Sequence, residues 1–417
     1  MGELLVRPGP SDHKVVADLL APGGASAALR QQGPLISRLV VDAHTAAQRP
    51  EFAEAASQAG IPFLVDPLTP LLQGELREED AWAKLPFGQA EAISTADLAV
   101  PYRQQRLVAD VVDYQIESGA TAIIPPYLYS ASPDDPRFSL SLELIRLTDR
   151  YLSKNNLRLP LVPVLCAQLQ RFTVEQAWVS GIDRFRAVAT EYELQLLALC
   201  LSPLGDGNDS YTKLVSLFQA AERLRGARTR VVAWRQGVYG EALLAAGIQG
   251  YETGIGTREQ CNVASLVSNR RPPRPGSKNS QGWATHGVYI QPLGRSVPTK
   301  VAEALLGSMP LRPKLMCDDE GCCPNGVTST LDHAREHAVR TRARVLADLD
   351  AMPERRWRLH RISQQAATAV VLAAQANHVL EENGVKFTVR TTGMESLARL
   401  AEYLKSASGE EPLTGTP

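Results

Sequence analysis

Short apolar runs, many of them β-branched, recur along the first three quarters of the chain. They alternate with longer segments whose apolar residues fall three and four positions apart. The runs are SRLVVDA ending near Asp42, IPFLVDP near Asp66, TAIIPP near Pro125, LPLVPVLCA near Cys166, LQLLALCLS near Ser202, TRVVAW near Trp234, IQGYETG near Gly254 and GVYI near Ile290. Strands apolar on both faces, separated by amphipathic helices, are the pattern of a parallel sheet covered by crossover helices. Eight such runs predict an α/β fold of the (β/α)8, TIM-like barrel type. PEFAEAASQAG, SLELIRLTDRYLS, TVEQAWVSGIDRFRAVATE, YTKLVSLFQAAERLRG and YGEALLAAG supply the helices, with Gly60, Gly226 and Gly247 placed to stop them.

The alternation breaks in two places. PLLQGELREEDAWAKLPFGQAEAISTADLAVPYRQQRL, between the second and third runs, reads as loop and short helix over one barrel end. SNRRPPRPGSKNSQG, before the eighth run, reads as an exposed connection. Beyond about residue 299 the pattern turns helical. The expected organisation is a barrel domain over 1–310, a Cys/His-containing helical module, zinc-stabilised, over 311–409, and a flexible tail over 410–417.

Composition narrows the class. With 417 residues and 44 % apolar residues the chain can bury a large core, which excludes wholesale disorder and a small disulfide scaffold. Lys and Arg number 44 against 45 Asp and Glu, so no uniformly basic surface coats nucleic acid; any such contact is local. MGELLVRPGPSDHK lacks the basic-then-apolar order of a secretory signal, and no apolar stretch reaches bilayer length. The expectation is a cytoplasmic protein with no membrane partner.

Half of the six cysteines, Cys317, Cys322 and Cys323, fall within seven residues in CDDEGCCPNGVTSTLDHAREH, just upstream of His333 and His337. Three thiolates and one imidazole make a tetrahedral Zn2+ shell, and the Gly and Pro residues between them allow the turn. The expected ligands are Cys317, Cys322, Cys323 and His333, with His337 the alternative four residues along the same helix face. An iron-containing cluster or metal-free thiols are the other readings.

In a barrel, the residues ending the strands face the substrate. Asp42 and Asp66 are therefore the candidate catalytic pair, one as base or nucleophile and the other orienting the ligand; the competing reading is simple loop capping. His44, Gln168, Trp234, Arg235 and Glu252 are candidate substrate contacts, suited to a planar, purine-like ligand. Gly254 and Gly256 in GYETGIG offer backbone N–H groups to an anion. Arg270, Arg271, Arg274 and Lys278 are candidate phosphate contacts, with a solvated surface loop as the alternative.

A barrel with strand-end aspartates, a glycine-rich late strand and a Cys/His site near its end resembles the tRNA-guanine transglycosylase superfamily, including relatives acting in DNA deazaguanine modification. The resemblance covers the plan of residues 35–340. It implies a glycosyltransferase-type reaction in which one carboxylate displaces a nucleobase and a second aids recognition or proton transfer. The cysteine spacing departs from that family's C-x-C-x2-C pattern. The resulting expectation is a nucleobase- or nucleoside-processing barrel enzyme with Zn2+, taking tRNA, DNA or a nucleobase-like small molecule and forming homo- or hetero-oligomers. The alternatives are a noncatalytic nucleic-acid-binding or assembly component, or a small-molecule lyase or hydrolase.

Overall fold

The computed structural model describes residues 2–21, 35–169, 177–226, 230–256, 259–268 and 287–407. Seven parallel strands form its centre: β1 Glu3–Arg7, β2 Arg38–Asp42, β3 Phe63–Asp66, β4 Val164–Gln168, β5 Leu197–Ser202, β6 Val231–Ala233 and β7 Gly250–Gly254. Their order is β3-β2-β1-β7-β6-β5-β4. Every strand residue is buried except Glu3 and Gln168, as expected when both faces of a parallel sheet are covered.

The two edge strands are joined through residues 121–124. Thr121 N–H donates to the Phe63 carbonyl at 2.8 Å, Ile123 N–H to Pro160 at 2.9 Å, and Val162 N–H to Ile123 at 2.8 Å. The third apolar run therefore fills the gap between β3 and β4, and the curled sheet has the TIM-like barrel plan.

One of the eight staves differs from the sequence reading. Strand β1, ELLVR, was not among the apolar runs, yet it is an interior strand, hydrogen-bonded to β2 and β7. Its three apolar residues sit between Glu3 and Arg7, and the burial of Arg7 is compensated by carboxylates from other strands, which no local pattern reveals. GVYI, read as the eighth stave, is instead β8 Gly287–Ile290, antiparallel to β9 Arg295–Pro298 in a separate hairpin. Gly294, at φ 65°, turns the chain back between them.

Helices α1 His13–Leu20, α2 Glu51–Ala59, α3 Pro101–Glu117, α4 Pro136–Lys154, α5 Ala177–Ala189, α6 Tyr211–Arg225 and α7 Gly240–Ala245 follow the staves in turn. Helix α2 ends at Gly60 in the left-handed conformation, as the sequence predicts.

After the hairpin come α8 Thr299–Gly307, α9 Ala334–Ala351, α10 Arg355–Glu382 and α11 Thr392–Ala407. Leu346, Leu359, Ile362, Leu397 and Leu400 from α9, α10 and α11 join the barrel core. Farther along α10, Leu372 and Leu380 pack in a second core with Val288, Ile290, Leu305 and Leu306. One 28-residue helix thus spans both cores. Burying each such side chain contributes roughly 1.5–3 kcal/mol, so α10 fastens the hairpin region to the barrel. No helix among the described residues is long and apolar enough to cross a membrane.

Candidate active site and metal centre

Five neighbouring strands, in the order β3-β2-β1-β7-β6, end in or lead into polar residues that meet inside the barrel. Asp66 closes β3, Asp42 closes β2 in register with it, Arg7 closes β1, Glu252 lies in β7, and Trp234 and Arg235 follow β6. Arg7 is their hub. Its guanidinium donates to Asp42 Oδ1 and to Glu252 Oε1, reaches Glu252 Oε2 at 2.8 Å, and pairs with Asp66 Oδ2 at 2.9 Å. The Trp234 ring lies 5.1 Å from the same guanidinium.

Arg235 adds a second cation, donating from Nη2 to Asp42 Oδ1 at 2.8 Å and lying 3.5 Å from Asp66 Oδ2. It does so from a left-handed backbone, φ 58°, that a non-glycine residue adopts only under constraint. Asp66 also accepts from Leu68 N–H and the Tyr127 hydroxyl on Oδ1, both at 2.9 Å, and from Trp234 Nε1–H on Oδ2 at 3.3 Å.

Three carboxylates therefore share two guanidinium groups, all nearly sealed from water. Burial would lower the Arg7 pKa, but Glu252, Asp42 and Asp66 reverse this and hold it well above the usual arginine value. Burial pushes Glu252 up, against the pull of Arg7. Burial, then the charge of Asp66, keeps the proton on Tyr127, so its hydroxyl stays a donor.

Above this cluster opens a cleft of about 360 Å³. Of the polar cluster, Asp42 and Arg235 border it; Arg7, Asp66, Trp234 and Glu252 lie beneath. Gly256, at φ 67°, lines it as well, and a Cβ there would come within 2.4 Å of the Gly287 carbonyl oxygen. The remaining wall includes Glu259, Gln260, Asn262, Arg295 and Ser296. Glu259 is held by Arg342 Nη2 at 2.9 Å and by Ser296 Oγ at 2.9 Å.

The structure thus brings together Asp42, Asp66, Trp234, Arg235 and Glu252. Wholly buried, Trp234 packs against Arg7 and does not offer its ring to the cleft. His44 is buried in the helical turn directly after Asp42; Gln168 ends β4 on the other side of the barrel; Gly254 ends β7 in register with Arg7. None of these three borders the cleft. Arg270, Arg271, Arg274 and Lys278 lie outside the described residues. Sequence reasoning missed Arg7, Glu259 and Arg295. For Arg7 a signal existed: an apolar triplet ending in arginine before Pro-Gly.

The metal centre needs one correction. Sγ of Cys317, Cys322 and Cys323 and a ring nitrogen of His337 all lie within 4.8 Å of one another. His333 is not part of this cluster: its ring is mostly exposed and pairs with Glu336 at 3.2 Å. The chain leaves Gly326 into a short helix, Val327–Asp332, and a break at His333 separates that helix from α9, so His337 and not His333 faces the thiols. His337 Nε2–H donates to the Tyr289 carbonyl at 2.9 Å, and Nδ1 faces the thiols, 3.4 Å from Cys323 Sγ and 3.5 Å from Cys322 Sγ. That second hydrogen bond fixes the tautomer a metal ligand requires.

Hydrogen bonds with Cys322 and Cys323 pull the Cys317 thiol down, while those with Cys317 and Cys323 push Cys322 up. Three thiolates this close repel one another unless a cation lies between them, so the donor set fits a metal ion.

No protein-family model matches the chain, and no curated protein matches it. Among solved structures, it is similar to a candidate fructose-1,6-biphosphate aldolase from Coccidioides immitis, with 11 % identity, a TM-score of 0.36, and coverage of 84 % of this chain and 93 % of that one. It is also similar to the carboxyl transferase domain of Rhizobium etli pyruvate carboxylase with pyruvate, with 12 % identity, a TM-score of 0.35, and coverage of 97 % of this chain and 61 % of that one.

Proposed function

We propose that this chain is a barrel enzyme that processes a nucleobase or nucleoside unit, free or within tRNA or DNA, in the cleft above the strand ends. One observation carries the reading: of three converging carboxylates, Asp42 alone borders the cleft, side by side with Arg235. A carboxylate and a guanidinium in one plane of approach match the mixed donor and acceptor edge of a purine. The ion cluster beneath them holds both in place.

In this reading an Asp42 oxygen forms a bond to the sugar C1′ as the C1′–N bond breaks. The electron pair leaves with the base, which takes up a proton from solvent. An incoming base or water then bonds to C1′ and gives a proton to solvent as the C1′–O bond breaks, its electron pair returning to the Asp42 carboxylate. Asp66 is a positioning residue: with both oxygens engaged below the cleft, it holds Arg7, Arg235, Trp234 and Tyr127. Zinc is the metal we assign to the Cys317, Cys322, Cys323 and His337 shell, because soft thiolates with one imidazole favour it and four protein ligands leave no open position. Its contribution there is a structural cross-link.

The test is product analysis across nucleosides, tRNA and DNA, with labelled free base, for the wild type and Asp42→Asn. Base release or exchange by the wild type, lost by at least about a thousandfold in Asp42→Asn, is expected. Turnover that survives the substitution refutes the reading. A noncatalytic binding role has one observation of its own, that all three carboxylates already hold guanidinium partners; binding without turnover in the wild type would favour it.

A further inference from the structure

Arg295, the first residue of β9, stands where two cavities meet. It borders the 360 Å³ cleft beside Asp42 and Arg235, and also a wider one of about 1080 Å³ that runs along the connection from α10 to α11, past Lys386 and Arg390. Gln260 and Ser296 are shared by both, so the two cavities adjoin at this point.

The electrostatics at the junction are unbalanced. Arg295 Nη1 donates to the Arg390 carbonyl at 3.3 Å, but its Nε is buried without a partner. Among the described residues no carboxylate pairs with it. The nearby acids are already engaged: Glu259 by Arg342 and Ser296, Asp206 by Arg390 at 3.8 Å and by Asn208 N–H at 2.9 Å. Burial lowers the Arg295 pKa, and Tyr239 and Glu259 offset that only in part. A desolvated guanidinium with open donors favours an oxyanion, which satisfies fork geometry and charge together.

We infer that Arg295 is an anion subsite that holds the phosphate of a nucleotide whose base occupies the barrel cleft. This rests on the proposed nucleobase reading. It makes the preferred substrate a phosphorylated unit, with the wider cavity receiving the chain beyond the phosphate.

The experiment is calorimetric titration of the full chain with common nucleosides, their 5′- and 3′-monophosphates, and inorganic phosphate, for the wild type and Arg295→Gln. One or more monophosphates binding about tenfold to a hundredfold tighter than the parent nucleoside is expected. In Arg295→Gln that preference falls to about twofold or less. A preference that survives the substitution overturns the inference, as does a wild-type preference that does not shrink when KCl is raised, a measurement needing no variant. If no nucleoside or monophosphate binds, the base reading fails, and inorganic phosphate decides the subsite. Binding by the wild type and not by Arg295→Gln upholds it; equal binding, or none, overturns it.

Discussion

His337 donates its Nε2 proton to the carbonyl oxygen of Tyr289 at 2.9 Å, which ties the metal cluster on α9 to strand β8. Five residues along the same helix, Arg342 lies 4.1 Å over the Tyr289 ring and reaches on to Glu259 and to the Gly237 carbonyl, both at 2.9 Å. Glu259 is a wall of the cleft. One helix and one tyrosine therefore carry the placement of the metal centre to the edge of the candidate active site, although none of the four ligands borders the cleft.

The ligand assignment is separable by single substitutions. His337→Ala and Cys322→Ser are expected to lose the zinc proposed for this shell, because a four-ligand structural site with one ligand gone binds far more weakly. His333→Ala is expected to keep about one zinc per chain. Elemental analysis of the three variants purified side by side checks this; equal zinc in His337→Ala and the wild type would sink the assigned shell.

Asp66→Asn is expected to lower stability. At Asp66 both oxygens accept, Oδ1 from Leu68 N–H and Tyr127 and Oδ2 from Trp234, so an amide NH2 must face a donor. Leaving such a buried donor unmatched costs about 1–3 kcal/mol. Urea unfolding is expected to place Asp66→Asn below the wild type by that margin. An unchanged stability would show that the hydrogen-bond pattern is not what holds Asp66.

The barrel plan was legible because parallel strands buried on both faces must be apolar in themselves, as SRLVVDA and LQLLALCLS are. The strand-end rule likewise picked out Asp42 and Asp66, which lie in register. It failed for Arg7, whose burial depends on three carboxylates from strands 35 to 245 residues away in the chain. GVYI misled for the opposite reason: four buried residues in a hairpin look like four in a barrel, and only the turn at Gly294 and pairing with β9 distinguish them. The choice between His333 and His337 turned on a helix break that four-residue spacing cannot reveal.

Arg7 is expected to be the most costly residue of the cluster to remove. Arg7→Met nearly preserves the length of the side chain but strands three buried carboxylates, with Arg235 as the remaining cation. Breaking a buried charge pair from one side costs about 3–5 kcal/mol. Denaturant unfolding should show a loss of at least that size, and Arg7→Lys should recover only part of it, since an ammonium cannot meet Asp42, Asp66 and Glu252 in one plane. A loss below about 1 kcal/mol would mean that the carboxylates are neutral in the folded chain.

Glu252 should leave a signature in the pH dependence of stability. Burial raises its pKa in the folded chain above the ordinary glutamate value of 4.5. A raised folded value means that folding favours the protonated form. The stability this contributes is fully present below the unfolded pKa, and it is lost as pH rises through the folded pKa. Glu252→Gln fixes the side chain in a neutral form of nearly the same shape, so it removes that dependence. The stability of the wild type relative to Glu252→Gln is therefore expected to decline as pH is raised from just below 4.5 toward neutrality. Parallel urea titrations of both proteins across that range supply the difference directly, with all other titrating groups cancelling. A difference that grows with pH would mean that the Arg7 pair outweighs desolvation at Glu252.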